Sequence, residues 1–325
     1  MTEARLLIGD IGGTNARFAL ANVDGNAYSA LRILPCAQFA TAEDALVHYL
    51  REVGADSPDA ICLAAAGPVV EQRVRFTNNP WQLNAADLRE KFSIKRVRLL
   101  NDFEAIAFGV PSLGPADSVA IGASAPISFA GEQLMFGVLG PGTGLGAVGL
   151  RKQGQRFFPI AGEAAHAGFA PETALQLEVL ASLRERFDRV STERLVSGAG
   201  LENIYWALSH LRGEPGGPLS AEAIFDADHN KADDTASAAV DLFCEILGQF
   251  AGDLALTLGA MDGIYIAGGI AQRHRDRLIN SGFRRSFESK GRYSEIMARI
   301  PTRLIVHDQP GLLGAARCVY RLGEQ

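Results

Sequence analysis

A chain of 325 residues, 47% hydrophobic and 21% charged, is long and apolar enough for two domains of ordinary size. Its formal net charge of −6 and the lack of a long Lys/Arg run argue against nucleic acid or an anionic membrane as partner, because nothing along it would neutralise a row of phosphates. The longest basic cluster, residues 273–277, reads as one polar helix face.

In chain order, the first residues run straight into a strand pattern, with no signal or transit sequence expected. Short apolar runs at 5–9 and 17–22 flank a turn at 10–15, the pattern of a β-hairpin. Thr41, with Asp44 three residues on, resembles a capping box and precedes Leu46, Tyr49, Leu50 and Val53 at helical spacing. Runs 60–66 and 96–100 read as strands, the first ending at Gly67-Pro68 and the second at Asn101-Asp102. A stretch rich in Pro and Gly at 109–117 marks the first boundary, and strands begin again at 118–122 and 135–139. A strand at 145–150 partners a second turn, segments 172–187 and 200–211 have helical periodicity, and 214–218 is a loop. From 233 to 259 no proline interrupts a stripe of Val240, Phe243, Leu247, Phe250, Leu254 and Leu258, which predicts a long, largely buried helix. A strand at 263–267, Gly268-Gly269 before another helix, a strand at 303–306 and a helix from Pro310 complete the chain. The order predicts an α/β protein of two units, 1–112 with 302–325 and 113–301.

Two glycine-rich turns beside apolar strands carry the chemistry. In Asp10-Ile11-Gly12-Gly13-Thr14-Asn15 the glycines let backbone approach phosphate oxygens, and the Thr14 hydroxyl and successive N–H groups can donate to them. A carboxylate beside polyphosphate must meet a cation, so Asp10 is assigned to Mg²⁺, directly or through water. The alternative is a type I′ hairpin with Asp and Gly as turn residues. The second turn, Gly140-Pro141-Gly142-Thr143-Gly144-Leu145-Gly146, also satisfies G-x-G-x-x-G through Gly144, Gly146 and Gly149. The residues after it read as a strand that stops near Gly154, too short for a dinucleotide-binding helix, so a second phosphate hairpin is preferred.

Asp102 comes after a strand and opens a helix, where it would project from the mouth of an open sheet; helix capping is the competing role. Glu163 and His166 can both hydrogen-bond vicinal hydroxyls, while metal ligation by the pair lacks a third ligand. Glu193, next to Ser191 and Thr192, also suits a capping region.

Taken together, residues 6–15, the 142–146 loop and Ile266-Ala267-Gly268-Gly269-Ile270 resemble the phosphate-1, phosphate-2 and adenosine motifs of the hexokinase, Hsp70 and actin superfamily, and within it the bacterial ATP-dependent glucokinases of the non-ROK type. The resemblance implies two ribonuclease-H-like (actin-like ATPase) domains with a ligand cleft between them, and transfer of the γ-phosphoryl group of Mg·ATP to the 6-hydroxyl of glucose. It implies ATP contacts from Asp10, Gly12, Gly13, Thr14 and Asn15, from Gly142, Thr143 and Gly144, and from Gly268 and Gly269. Glucose would be held by Asn101, Asp102, Glu163, His166 and Glu193, with Asp102 as general base. Asn78-Asn79-Pro80-Trp81 resembles a loop near the sugar in the family, and a homodimer is common there. The chain departs from the family pattern at Gly168, often Asp, and at Ala164 and Ala165, usually Gly, which bears on strict glucose selectivity.

Competing readings are weaker. A sugar-responsive regulator on the same fold would need a DNA-binding domain, and no helix-turn-helix is seen ahead of residue 5. A ROK kinase would carry a cysteine-rich zinc motif, whereas Cys36, Cys62, Cys244 and Cys318 are scattered without CxxC spacing, as in a reduced cytoplasmic protein. A chaperone-like ATPase predicts a longer chain without the sugar segment. No apolar run reaches the roughly 20 residues of a membrane span.

Overall fold

Near-continuous apolar runs place the first strands in the middle of a sheet covered on both faces. In the computed structural model, which describes residues 5–22, 24–55, 57–76, 79–123, 127–213 and 217–321, β1 (Leu6–Ile11) buries Leu6, Leu7, Ile8 and Ile11. It pairs antiparallel with β2 (Asn15–Ala21), so that Asp10 faces Arg17 across the ladder. β3 (Tyr28–Pro35) adds an antiparallel edge. Helix α1 (Ala42–Glu52) starts at Thr41, whose hydroxyl accepts the Asp44 N–H, and buries Leu46, Tyr49 and Leu50. β4 (Ala60–Ala65) pairs parallel with β1. A small hairpin, β5 (Arg73–Arg75) with β6 (Gln82–Asn84), leads into α2 (Ala85–Phe92). β7 (Arg96–Asn101) closes the sheet in the order β3-β2-β1-β4-β7 and runs directly into α3 (Asp102–Gly109).

The second sheet repeats this pattern. β8 (Ser118–Ala120) is its edge, and the meander of β9 (Gln133–Pro141), β10 (Leu145–Gln153) and β11 (Arg156–Ala161) supplies three antiparallel strands. Helices α4 (Ala174–Arg184), α5 (Gly198–Leu211) and α6 (Ala221–His229) come next. α4 packs on α5, and α5 and α6 pack with α7 (Asp234–Leu258), capped by Asp233 and ended by Gly259 at φ 66°. Burial on α7 goes beyond the expected stripe: Gly248 and Gly252 lie against the carbonyls of Phe283 and Phe287, so a second face is covered as well. β12 (Gly263–Ile266) joins β9 in parallel, and short helices α8 (Gly269–Arg273), α9 (Arg275–Ile279), α10 (Phe283–Glu288) and α11 (Ser294–Met297) lead to β13 (Thr302–Ile305). The order is β11-β10-β9-β12-β13-β8.

The structure corrects the sequence reading at two places. β13 pairs with β12 and β8, so residues 302–305 belong to the second sheet and do not return with the last helix. Residues 273–277 are split at His274 between two short helices, and Arg277 is spent on Asp228 and Asp241 instead of lying on one solvated face.

The last helix, α12 (Pro310–Arg321), belongs with the first sheet. The chain thereby divides into compact units 1–117 with 307–325 and 118–306. A Cβ on Gly314 would stand 1.6 Å from the Ala105 carbonyl oxygen, and one on Gly109 would stand 2.6 Å from that of Pro310. Glycines at this crossing let α3 and α12 meet backbone to backbone. No described helix is long and apolar enough to cross a membrane.

Candidate active site

In the first unit, Asp10 and Asp102 lie at the carboxyl edge of the parallel strands, where open α/β sheets bind ligands. The capping question resolves in favour of Asn101. Its Oδ1 accepts the Phe103 N–H at 2.9 Å, and Glu104 reaches back to the Asn101 N–H at 2.9 Å, a complete capping box. Asn101 Nδ2 also donates to the Gly67 carbonyl at 3.0 Å. Asp102 is therefore the first helical residue, its Oδ1 2.9 Å from the Phe103 N–H. Burial, and then the charge of Asp10, push its carboxyl up to about 6. Burial also raises Asp10, against the pull of Arg17.

The first turn closes through Gly12 N–H to the Asn15 carbonyl at 3.0 Å. Neither Gly12 nor Gly13 has a positive φ, so the type I′ alternative is excluded. Thr14 is exposed, and its carbonyl accepts the Cys36 N–H at 2.8 Å. Asn79 Nδ2 reaches the Gly12 carbonyl at 3.4 Å, while Trp81 is buried with its indole N–H on Phe39. Asn78 lies outside the described residues, as do residues 214–216 of the predicted 214–218 loop.

In the second unit the structure brings Glu163, His166 and Glu193 together beside the second turn. His166 Nε2 lies 3.8 Å from Glu163 Oε2 and its Nδ1 lies 3.8 Å from Glu193 Oε1. Glu193 Oε2 accepts the Leu145 N–H at 2.9 Å. Glu193 also lies in the first turn of a short 3-10 helix, Thr192–Arg194, that starts after Ser191, as the capping-region alternative expects, while Ser197 caps α5, its Oγ accepting the Gly200 N–H at 3.0 Å. Gly142 N–H donates to the Gly144 carbonyl at 2.7 Å, folding Thr143 to the tip. Gly268 and Gly269 differ in kind. Gly268, at φ 90°, packs where a Cβ would stand 2.4 Å from the Pro141 carbonyl oxygen, whereas a Cβ on Gly269 meets nothing within 4 Å. The first is needed by the fold, and the second leaves room for a ligand. A Cβ on Gly168 would also meet nothing within 4 Å.

Sequence reasoning missed Glu104, Ser197 and Gly198, which set these geometries. Asn101-x-x-Glu104 was a readable capping signature. Ser197 is invisible as a loop anchor, because the contact of Gly198 N–H with the Gly142 carbonyl joins residues far apart in sequence. A cavity of about 690 Å³ lined by Lys231, Arg273 and His274 was also unforeseen.

Two mixed sheets of one strand order, each with a glycine turn between its first two meander strands, define an α/β class that known structures share. A glucokinase from an Antarctic psychrotroph, of solved structure, matches with a TM-score of 0.89 and 34% identity, covering 97% of this chain and 98% of that one. Glucokinases of Caulobacter vibrioides and Xanthomonas campestris are 44% and 41% identical over 318 and 320 residues, 95% and 96% of this chain and 93% of each relative. The family model for glucokinase matches residues 7–322. The chain belongs to the glucokinase family.

Proposed function

We propose that the chain is an ATP-dependent glucokinase, moving the γ-phosphoryl group of Mg·ATP to the 6-hydroxyl of D-glucose with Asp102 as general base. The observation that carries the assignment of the base is its position: Asp102 heads α3 with the cap made by Asn101, in a setting that raises its proton affinity. A base need not be strongly tuned for phosphoryl transfer, which asks mainly for alignment and charge stabilisation. Its proton transfer is worth about 10²–10⁴ in rate, roughly 3–5 kcal/mol of barrier. Glu163, His166 and Glu193 supply hydrogen-bonding groups for the sugar hydroxyls, with Asn101 beside the base.

Backbone N–H groups and the Thr14 and Thr143 hydroxyls would hold the phosphates, joined by Asn15 and by Gly269, where the backbone is open to the nucleoside. Asp10 fits Mg²⁺, an ion that keeps most of its waters and takes one or two carboxylates plus phosphate oxygens. When bound, the ion neutralises charge on the phosphates.

The finer architecture belongs to the same proposal: two ribonuclease-H-like domains, supported by the order of five strands common to both sheets. So do a cytoplasmic location and a homodimer, the latter measurable by sedimentation. Coupled ADP release over a panel of hexoses tests the reading. Glucose-dependent release lost in Asp102→Ala, with nucleotide binding kept, is expected; release indifferent to sugar would point to an ATPase.

A further inference from the structure

Glu193 touches both clusters of the second unit. Oε2 holds the Leu145 N–H at 2.9 Å, and Oε1 lies 3.8 Å from His166 Nδ1. The backbone behind it is tied to the same turn: Ser197 Oγ donates to the Glu193 carbonyl at 2.9 Å, and Gly198 N–H to the Gly142 carbonyl at 2.9 Å. A Cβ on Gly144 would stand 2.5 Å from Glu193 Oε2, while one on Gly142 would meet nothing within 4 Å. The carboxylate thus fills the space over Gly144.

We infer that Glu193 is a positioning residue that couples sugar occupancy to the shape of the second phosphate turn. The inference rests on the glucokinase reading and deepens it. The Glu193 side chain is 30% exposed, with Oε1 towards His166 and Oε2 on the Leu145 N–H. Sugar hydroxyls donating to Oε1 fix the carboxylate, which in turn fixes the Leu145 N–H and the turn. The phosphate site is then best formed when an alcohol acceptor is in place, which disfavours transfer to water. Coupling of this kind is reciprocal, so a change made in the turn must be felt by the sugar even without nucleotide.

Calorimetric titration of glucose into the nucleotide-free chain tests this, comparing the parent with Gly144→Ala and Gly142→Ala, each with its circular dichroism checked. Displacing the carboxylate through Gly144→Ala should weaken glucose by about fivefold or more, the low end of usual coupling factors, and Gly142→Ala by less than about twofold. Equal losses in the two variants, or no loss in Gly144→Ala, would overturn the coupling. Should Gly144→Ala fail to fold, hydrogen exchange in the parent decides. Glucose alone should slow exchange of the Leu145 amide by about fivefold or more, and an unchanged rate would overturn the coupling. A parent that binds no glucose would overturn the glucokinase reading along with it.

Discussion

Asp102 is ionised against the preference of its surroundings. Its folded pKa of about 6 lies above the ordinary 3.8, so the native state holds the proton more tightly than the unfolded chain does. The resulting stabilisation is complete below about pH 4 and is lost as pH rises through about 6. Asp102→Asn should therefore melt at a higher temperature than the parent at pH 8, with the gap closing near pH 4, while turnover falls steeply. As the proposed base, Asp102 must also be unprotonated to work, which places the acid limb of kcat/KM near pH 6. Asp10→Asn removes the like charge and should move Asp102 down; that change is best read by NMR titration of the carboxyl, because the same variant loses a proposed Mg²⁺ contact. The carboxylates were legible as residues in the sequence, each beside Gly or Asn in an unusual run. Which of Asn101 and Asp102 makes the cap does not follow from their own residue types, since either type caps helices, and needs Glu104 to be read with Asn101. Glu104, three residues after Asn101, decides it through the reciprocal bond.

At the scale of elements, the crossing of α3 and α12 seats the proposed base. Gly109 and Gly314 allow an approach that any Cβ would block. Gly314→Ala should cost about 1–3 kcal/mol, the usual penalty for overpacking, and lower kcat as Asp102 moves with α3; chemical denaturation and steady-state kinetics check the two parts. Asn101→Ala should cost about 1 kcal/mol for the lost cap and reduce kcat without abolishing it. Elements with strong periodicity or clear stops were readable, as in α7 between Asp233 and Gly259. Others were not, for physical reasons. β11 exposes Phe158 and Ile160, so its residues do not alternate as a half-buried strand should. α2 ends at Ser93 with φ 53°, a left-handed stop without the expected glycine. β3 is an edge strand whose register with β2 shifts between Phe18 and Leu20, which blurs its period.

For the molecule as a whole, the sequence conveys two α/β units because the motif order recurs, but it does not reveal that β13 finishes the second sheet. Four residues with β-propensity fit either sheet, and only pairing with β12 and β8 settles the choice. A site built to bond several hydroxyls should reject sugars lacking one of them by about 10⁴–10⁵ in kcat/KM, so a deoxyglucose series would show which hydroxyls are held. The most direct measurement is ADP release from Mg·ATP at pH 8, with and without glucose, in the parent and Asp102→Asn side by side. The account predicts release that depends on glucose in the parent and falls by about 10²–10⁴ in the variant, with the Kd for nucleotide unchanged. Release that ignores glucose, or a variant as fast as the parent, would contradict it.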